Sequence, residues 1–487
     1  VIRTVAPPAT NPAETPPPLP TQEQPEVLTR GPVHEAFAEP VTQKADAGLT
    51  APEQPPAAIV ETPPAERPVG GSVVWVPGYW SWDAERKGYI WVSGCWRAAP
   101  PNRVWMPGYW ARTATGWQWI PGFWTLAGQE EIVYLPPPPE VTDVLPPGPP
   151  PSVDMVWVPG CWTWQQGRYV ARPGYWLRQQ VGWVWVPSHY TWTPRGHVFI
   201  DGHWDRTWEQ RGVLFAPVFF GPRIRASVGF AFAPSITLNL GAVSASLFAC
   251  PVYSHYYFGD YYDDAYVRVG IYPWFECARL PFWYDPIFVY ARWHNHRENP
   301  HWERHEREAY HHRRDVHADR PPRTFREQNE RLARPNLPAR HDLPLARPLS
   351  ALTASPANGR FERVTPATRE KIVRQTTEVH TFQAARTRWE GEHITTKDAP
   401  SSVSTPRVET LPTTGRRAPV ERKATTVTRE PRITQPERVR LPTQPSGFAE
   451  VSRATDSVPT RPTAEHSYER RGRDVKSDTK GDRRRDY

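Results

Sequence analysis

Between residues 75 and 204 large aromatic side chains alternate with small or polar ones at a period of two. Trp80-x-Trp82, Trp117-x-Trp119, Trp162-x-Trp164 and Trp183-x-Trp185 each place two indoles on one face of an extended segment, the pattern of a β-strand. A hexapeptide punctuates the alternation. Its first four copies are Trp75-Val-Pro-Gly-Tyr-Trp80, Trp91-Val-Ser-Gly-Cys-Trp96, Trp105-Met-Pro-Gly-Tyr-Trp110 and Trp119-Ile-Pro-Gly-Phe-Trp124. Four more follow: Trp157-Val-Pro-Gly-Cys-Trp162, Ala171-Arg-Pro-Gly-Tyr-Trp176, Trp185-Val-Pro-Ser-His-Tyr190 and Phe199-Ile-Asp-Gly-His-Trp204. Within each set of four the copies recur every 14 residues, apart from one step of 16. Four-residue loops ending in Gly or Asn (Ala99–Asn102, Thr113–Gly116, Gln179–Gly182, Thr193–Gly196) separate the strands, and these residues tolerate the positive φ that tight hairpins need. The longer step is absorbed by the loop Asp83–Gly88, which leaves the pairing register intact. The Pro-Gly step predicts a type II turn with positive φ at the glycine. That turn twists the wrong way for a tight hairpin, so a corner is expected there. If the flanking strands still pair, Trp75 faces Trp80, an aromatic pair contributing about 0.5–1.5 kcal/mol beyond burial.

These signals predict a mainly β chain of two Trp-rich antiparallel hairpin blocks, residues 71–134 and 152–208. A linker over 135–151 containing nine prolines separates them. Residues 209–293 form an adjoining aromatic-rich β region, with alternating runs at 228–232, 236–240 and 243–247. Residues 294–392 are charged and helix-prone. Asn299-Pro300 starts a helix to about Ala318, Thr324 caps one ending near Arg334, and Thr365-Pro366 starts a third with Ile372, Val379, Phe382 and Trp389 on one face.

Composition changes the picture at the ends. The 487 residues suggest about three domains by length, yet they include 60 prolines and 24 tryptophans, with 2 methionines and a mean hydropathy of −0.65. Proline-rich, charged sequence cannot bury enough apolar surface to offset chain entropy. Residues 1–70, with 16 prolines, read as a disordered, polyproline-like linker, and 393–487 as a basic disordered tail. A wholly globular enzyme, a helical bundle and a polytopic membrane protein are disfavoured. The net charge of +8 resides in the C-terminal part, which ends in Arg483-Arg484-Arg485. That tail suits anionic polymers through weak, salt-sensitive contact; no specific nucleic acid is expected. No segment reads as a transmembrane helix.

The hexapeptides resemble the WXXGXW repeat, also called the YXWGXW repeat, found in exported bacterial proteins of mostly unknown function. The first five copies carry the resemblance most fully. Ala171, Ser188, Tyr190 and Phe199 depart from the pattern. The flank Gly31-Pro-Val-His-Glu-Ala-Phe-Ala-Glu-Pro40 is similar to longer exported proteins of the same type. The resemblance implies an extracytoplasmic location (periplasm, cell surface or secreted) and supplies no catalytic role. A first residue of Val fits either a processed export signal or a shortened start.

Candidate chemistry is sparse. Trp80, Trp82, Trp110, Trp119, Trp162, Trp164, Trp183 and Trp185 are candidates for a strip that stacks on sugar faces. The same residues serve equally as the core of small repeats poor in aliphatics, and their fold-defining positions favour that role. Cys95 and Cys161 occupy the same slot in copies two and five. A disulfide between them would close a loop of about 65 residues and contribute roughly 2–4 kcal/mol, with Cys250 and Cys277 as the second pair. Seven histidines lie between His294 and His317, with His301 and His305 on one helical face; a solvated charged helix explains them better than a metal site. Asp260, Asp263 and Asp264 lack the spacing of a calcium loop. No metal or other cofactor is expected. Without a nucleophile elbow, zinc motif or phosphate loop, the sequence suggests a non-catalytic scaffold of the cell envelope or extracellular matrix, bound to envelope or matrix proteins or polysaccharides. A carbohydrate-binding module with surface Trp platforms is the alternative.

Overall fold

The computed structural model describes residues 24–44, 48–70, 72–129, 131–141, 145–225, 230–334, 344–354, 361–395 and 437–440. Antiparallel β-hairpins dominate it, as the alternation predicts. Among the described residues no helix is long and apolar enough to cross a membrane.

The building unit is a pair of hexapeptides. In the first pair Tyr79–Asp83 and Gly88–Val92 form an inner hairpin, with Trp80 opposite Trp91. Val73–Val76 and Cys95–Ala98 form an outer ribbon, with Trp75 opposite Trp96. The outer strands therefore pair with each other across the inner hairpin, and the ladder is interrupted on both sides at Pro77-Gly78 and Ser93-Gly94. Trp75 does not face Trp80, so the expected pairing across Pro-Gly is corrected. The other three pairs repeat this nesting. Trp105 meets Trp124 outside Trp110 and Trp119, Trp157 meets Trp176 outside Trp162 and Ala171, and Trp185 meets Trp204 outside Tyr190 and Phe199.

The loops accordingly differ in kind. Thr113 pairs with Gly116 and Thr193 with Gly196 across true two-residue turns. Residues 99–102 and 179–182, expected to be equivalent, instead connect one pair to the next. At the inner turn of the third pair Gln166 and Gly167 both take positive φ, 50° and 80°, the combination that suits right-handed strand twist.

The two blocks pack together. Glu131–Leu135 lies between Gly196–Ile200 of the second block and Glu437–Arg440, the described part of the C-terminal tail. Arg97 of the first block and Arg211 both hold the buried Asp205 of the second, at 2.6 and 2.9 Å. Their remaining N–H groups donate to the carbonyls of Ala36 and Phe37, at 2.9 Å each.

That last contact shows where the proline-rich start departs from expectation. Residues 24–68 contribute six short strands, and Val33, Ala36 and Phe37 are almost completely buried in the largest apolar cluster. A few apolar side chains amid the prolines, together with buried arginines that donate to the carbonyls of Ala36 and Phe37, are enough to order the segment. The adjoining region is also less regular than its alternation suggests. Leu240–Ser244 is a short helix where a strand is expected, and the main hairpin is Leu247–Cys250 with His255–Phe258. The helical expectations translate into Trp302–Asp315, Phe325–Leu332 and Pro366–Thr395. Thr324 caps the second through the Glu327 amide, and Val379 and Phe382 of the third are buried. Most of the expected tail lies outside the described residues.

Candidate functional site

The hexapeptide glycines are where the repeat does something chemically specific. None of them has positive φ, so the expected type II turn is not formed. They are glycines because there is no room for a side chain. A Cβ on Gly94 would lie 2.5 Å from the Trp75 ring, one on Gly78 2.8 Å from Trp91, and one on Gly122 2.3 Å from Trp105. The first Trp of each copy covers the glycine of its partner copy. The departures in the second block follow the same rule. Where Ser188 replaces glycine, the partner copy carries Phe199, a smaller ring. Where Ala171 replaces Trp, no ring covers Gly160.

The paired interruptions also leave backbone N–H groups without strand partners, and in the first two pairs a glutamate takes them. The Glu61 carboxylate accepts from the Gly78 and Gly94 amides at 2.9 and 3.1 Å and from the Trp91 indole at 2.6 Å. Glu35 accepts from the Gly122 amide at 3.2 Å and the Trp119 indole at 3.1 Å. Both carboxyls are buried, and burial pushes each up to about 7, partly offset by the hydrogen bonds they accept. In the fourth pair the Ser188 hydroxyl does the equivalent work, accepting from the Gly202 amide at 2.9 Å. The segment expected to be a spacer thus supplies the acceptors that complete two repeat pairs. The visible signal was the apolar cluster Val33, Ala36, Phe37 and Ala38 around Glu35; Glu61 carries no such mark.

A helix closes the second pair from the other side. Arg386 and Glu390 form a fully buried ion pair at 2.8 Å. Arg386 also donates to the Pro107 carbonyl at 2.9 Å, Gln383 donates to the Gly108 carbonyl, and the hydroxyls of Tyr109 and Tyr134 donate to Glu390 at 2.7 Å each.

The candidate sugar strip is mostly interior. Trp80, Trp110, Trp119, Trp183 and Trp185 are at most 9% exposed, and Trp82, Trp162 and Trp164 are half-buried. Indole N–H groups serve the fold: Trp80 donates to the Ala57 carbonyl and Trp110 to the Trp80 carbonyl. The four cysteines are thiols, three of them buried, so neither Cys95–Cys161 nor Cys250–Cys277 is bridged. Cys95, Cys161 and Cys250 are instead each buried in a neighbourhood of their own. His301 and His305 contact one another edge to face on the exposed side of their helix. Asp260 and Asp263 pair with Arg323 and Arg320. Among the described residues no group of three His, Cys, Asp or Glu converges as a metal site.

The WXXGXW repeat model, whose unit is two copies of the motif, matches residues 73–97, 104–125, 153–176 and 181–204. Residues 73–204 carry the WXXGXW repeat. Each matched WXXGXW segment coincides with one nested pair of the fold, which accounts for a unit of two copies. No curated protein and no solved structure matches the chain.

Proposed function

We propose that this WXXGXW protein is an exported, non-catalytic scaffold of the cell envelope or extracellular matrix, located outside the cytoplasm. The carrying observation is how the repeat uses its tryptophans. They face each other in pairs inside the ribbons at ring-centroid separations of 5.1–5.6 Å, where they hold the pairs together. Buried links from distant parts of the chain then join the pairs into one body, which suits attachment more than turnover. The basic tail supplies salt-sensitive contact with anionic polymers.

A second reading, carbohydrate binding, is favoured at one place. The third pair leaves Trp157, Trp162, Trp164 and Trp176 half-buried, so their rings offer surface for stacking. Two measurements separate the readings. Under the scaffold reading Trp91→Ala lowers the unfolding midpoint, and the full-length protein sediments with the envelope or appears in the medium. Under the second, Trp162→Ala abolishes polysaccharide binding with no change in near-UV circular dichroism. Recovery solely from the cytoplasm refutes the scaffold reading.

A further inference from the structure

A cavity of about 480 Å³ opens where the fourth repeat pair meets the helices Pro286–His296 and Trp302–Asp315. Its size falls within the range of small-ligand sites, roughly 300–1,000 Å³. One part of its wall is aromatic, formed by Trp208, Tyr290 and Trp302. Trp302 is held edge-on to Trp274 and is half-exposed. The other part is polar, with Gln210, Asn295 and Glu306 converging on the same space. Among the described residues these three side chains make no direct hydrogen bond or ion pair; Asn295 and Glu306 are half-buried, and Arg313 and His305 lie near enough to Glu306 to favour its charged form. Polar groups without a direct protein partner, gathered around one cavity, are free to hydrogen-bond a ligand or water there.

The donor set narrows the ligand. No Lys or Arg lines the cavity, and His294 is its one basic side chain, so a permanent positive charge for an anion is lacking. A simple cation would need only the carboxylates and the rings, and would leave the amides of Gln210 and Asn295 unused. A ligand that both donates and accepts hydrogen bonds, and also presents a flat C–H face to an indole, uses the two amides, the Glu306 carboxylate and the rings together. We propose that this cavity binds a neutral saccharide of hexose units, stacked on Trp302 and hydrogen-bonded by Asn295, Gln210 and Glu306. The site is separate from the exposed rings of the third repeat pair, and it does not depend on the scaffold role.

The test is calorimetric titration of the full chain with maltotriose, cellotriose and chitotriose, and with spermidine as the cationic probe. At least one trisaccharide is expected to bind, with affinity reduced tenfold or more by Asn295→Ala and by Trp302→Ala, and unchanged by Trp162→Ala. Asn295→Ala alters one half-buried side chain with no protein hydrogen bond, so it carries the test if Trp302→Ala fails to fold. The proposal is overturned if no trisaccharide binds at millimolar concentration, if spermidine alone binds, or if Trp162→Ala removes binding while Asn295→Ala leaves it intact. The last outcome would place sugar recognition on the third pair and leave the cavity without a role.

Discussion

Removing the Glu61 carboxyl with Glu61→Ala is the sharpest perturbation of the repeat. The side chain is fully buried and accepts from three donors, the amides of Gly78 and Gly94 and the Trp91 indole. Each buried donor left unpaired costs about 1–3 kcal/mol, so the variant should lose roughly 3 kcal/mol or more. The loss should depend on pH in a definite direction. Glu61 ionises near 4.5 in an unfolded chain and near 7 in the fold, because burial opposes the charge more than the donors favour it. Between those values the unfolded state releases a proton that the folded state keeps. The site's contribution is therefore full below about 4.5 and falls by roughly 3 kcal/mol as pH rises through 7. Alanine does not titrate, so the penalty of the variant should be large at pH 5 and small at pH 8. Urea unfolding of the two full-length proteins at both pH values, followed by Trp fluorescence, measures the difference. Glu35 titrates in the same sense but is common to both proteins and cancels. A penalty that grows between pH 5 and pH 8 would refute the reasoning, since it would mean that the three N–H donors outweigh burial and hold the carboxylate ionised.

Three further outcomes are expected. Gly122→Ala places a methyl 2.3 Å from the Trp105 ring and 2.8 Å from the Glu35 carboxylate; overpacking of this kind costs about 1–3 kcal/mol, and a thermal melt of the variant should show a lowered midpoint. Glu390→Ala leaves Arg386 charged and buried without its partner, at a cost of about 3–5 kcal/mol, and hydrogen exchange should rise across residues 366–395 before it rises in the repeat strands. Cys95 and Cys250 should resist alkylation in the native protein, because burial pushes their thiols far above neutrality, Cys250 to about 12; rapid native labelling of either would contradict their placement.

The legible part of this protein is local. Period-two aromatics marked the strands, the insertion at Asp83–Gly88 stayed in a turn, and Thr324 capped its helix, because each depends on residues close in sequence. Pro-Gly misled for a related reason. Pro and Gly together favour a type II turn when nothing else acts, yet here the glycine answers to a Trp ring 11 to 19 residues away. The expected Cys95–Cys161 disulfide was inferred from matching slots in two copies, and equal position in a repeat does not bring two sulfurs together.

Sequence alone determined that the chain contains a 14-residue Trp-rich β repeat, where it begins and ends, and which segments favour helix. Only the tertiary structure decided that two copies make one unit, that Trp75 belongs with Trp96, and that Val33, Glu35, Phe37 and Glu61 of the proline-rich start are part of the core. The reason is the reach of the forces involved. Strand propensity and capping act over a few residues. Buried donors at an interrupted ladder must find an acceptor wherever the chain can supply one, and here Glu35, Glu61 and the helix bearing Glu390 come from segments that no short-range pattern connects to the repeat.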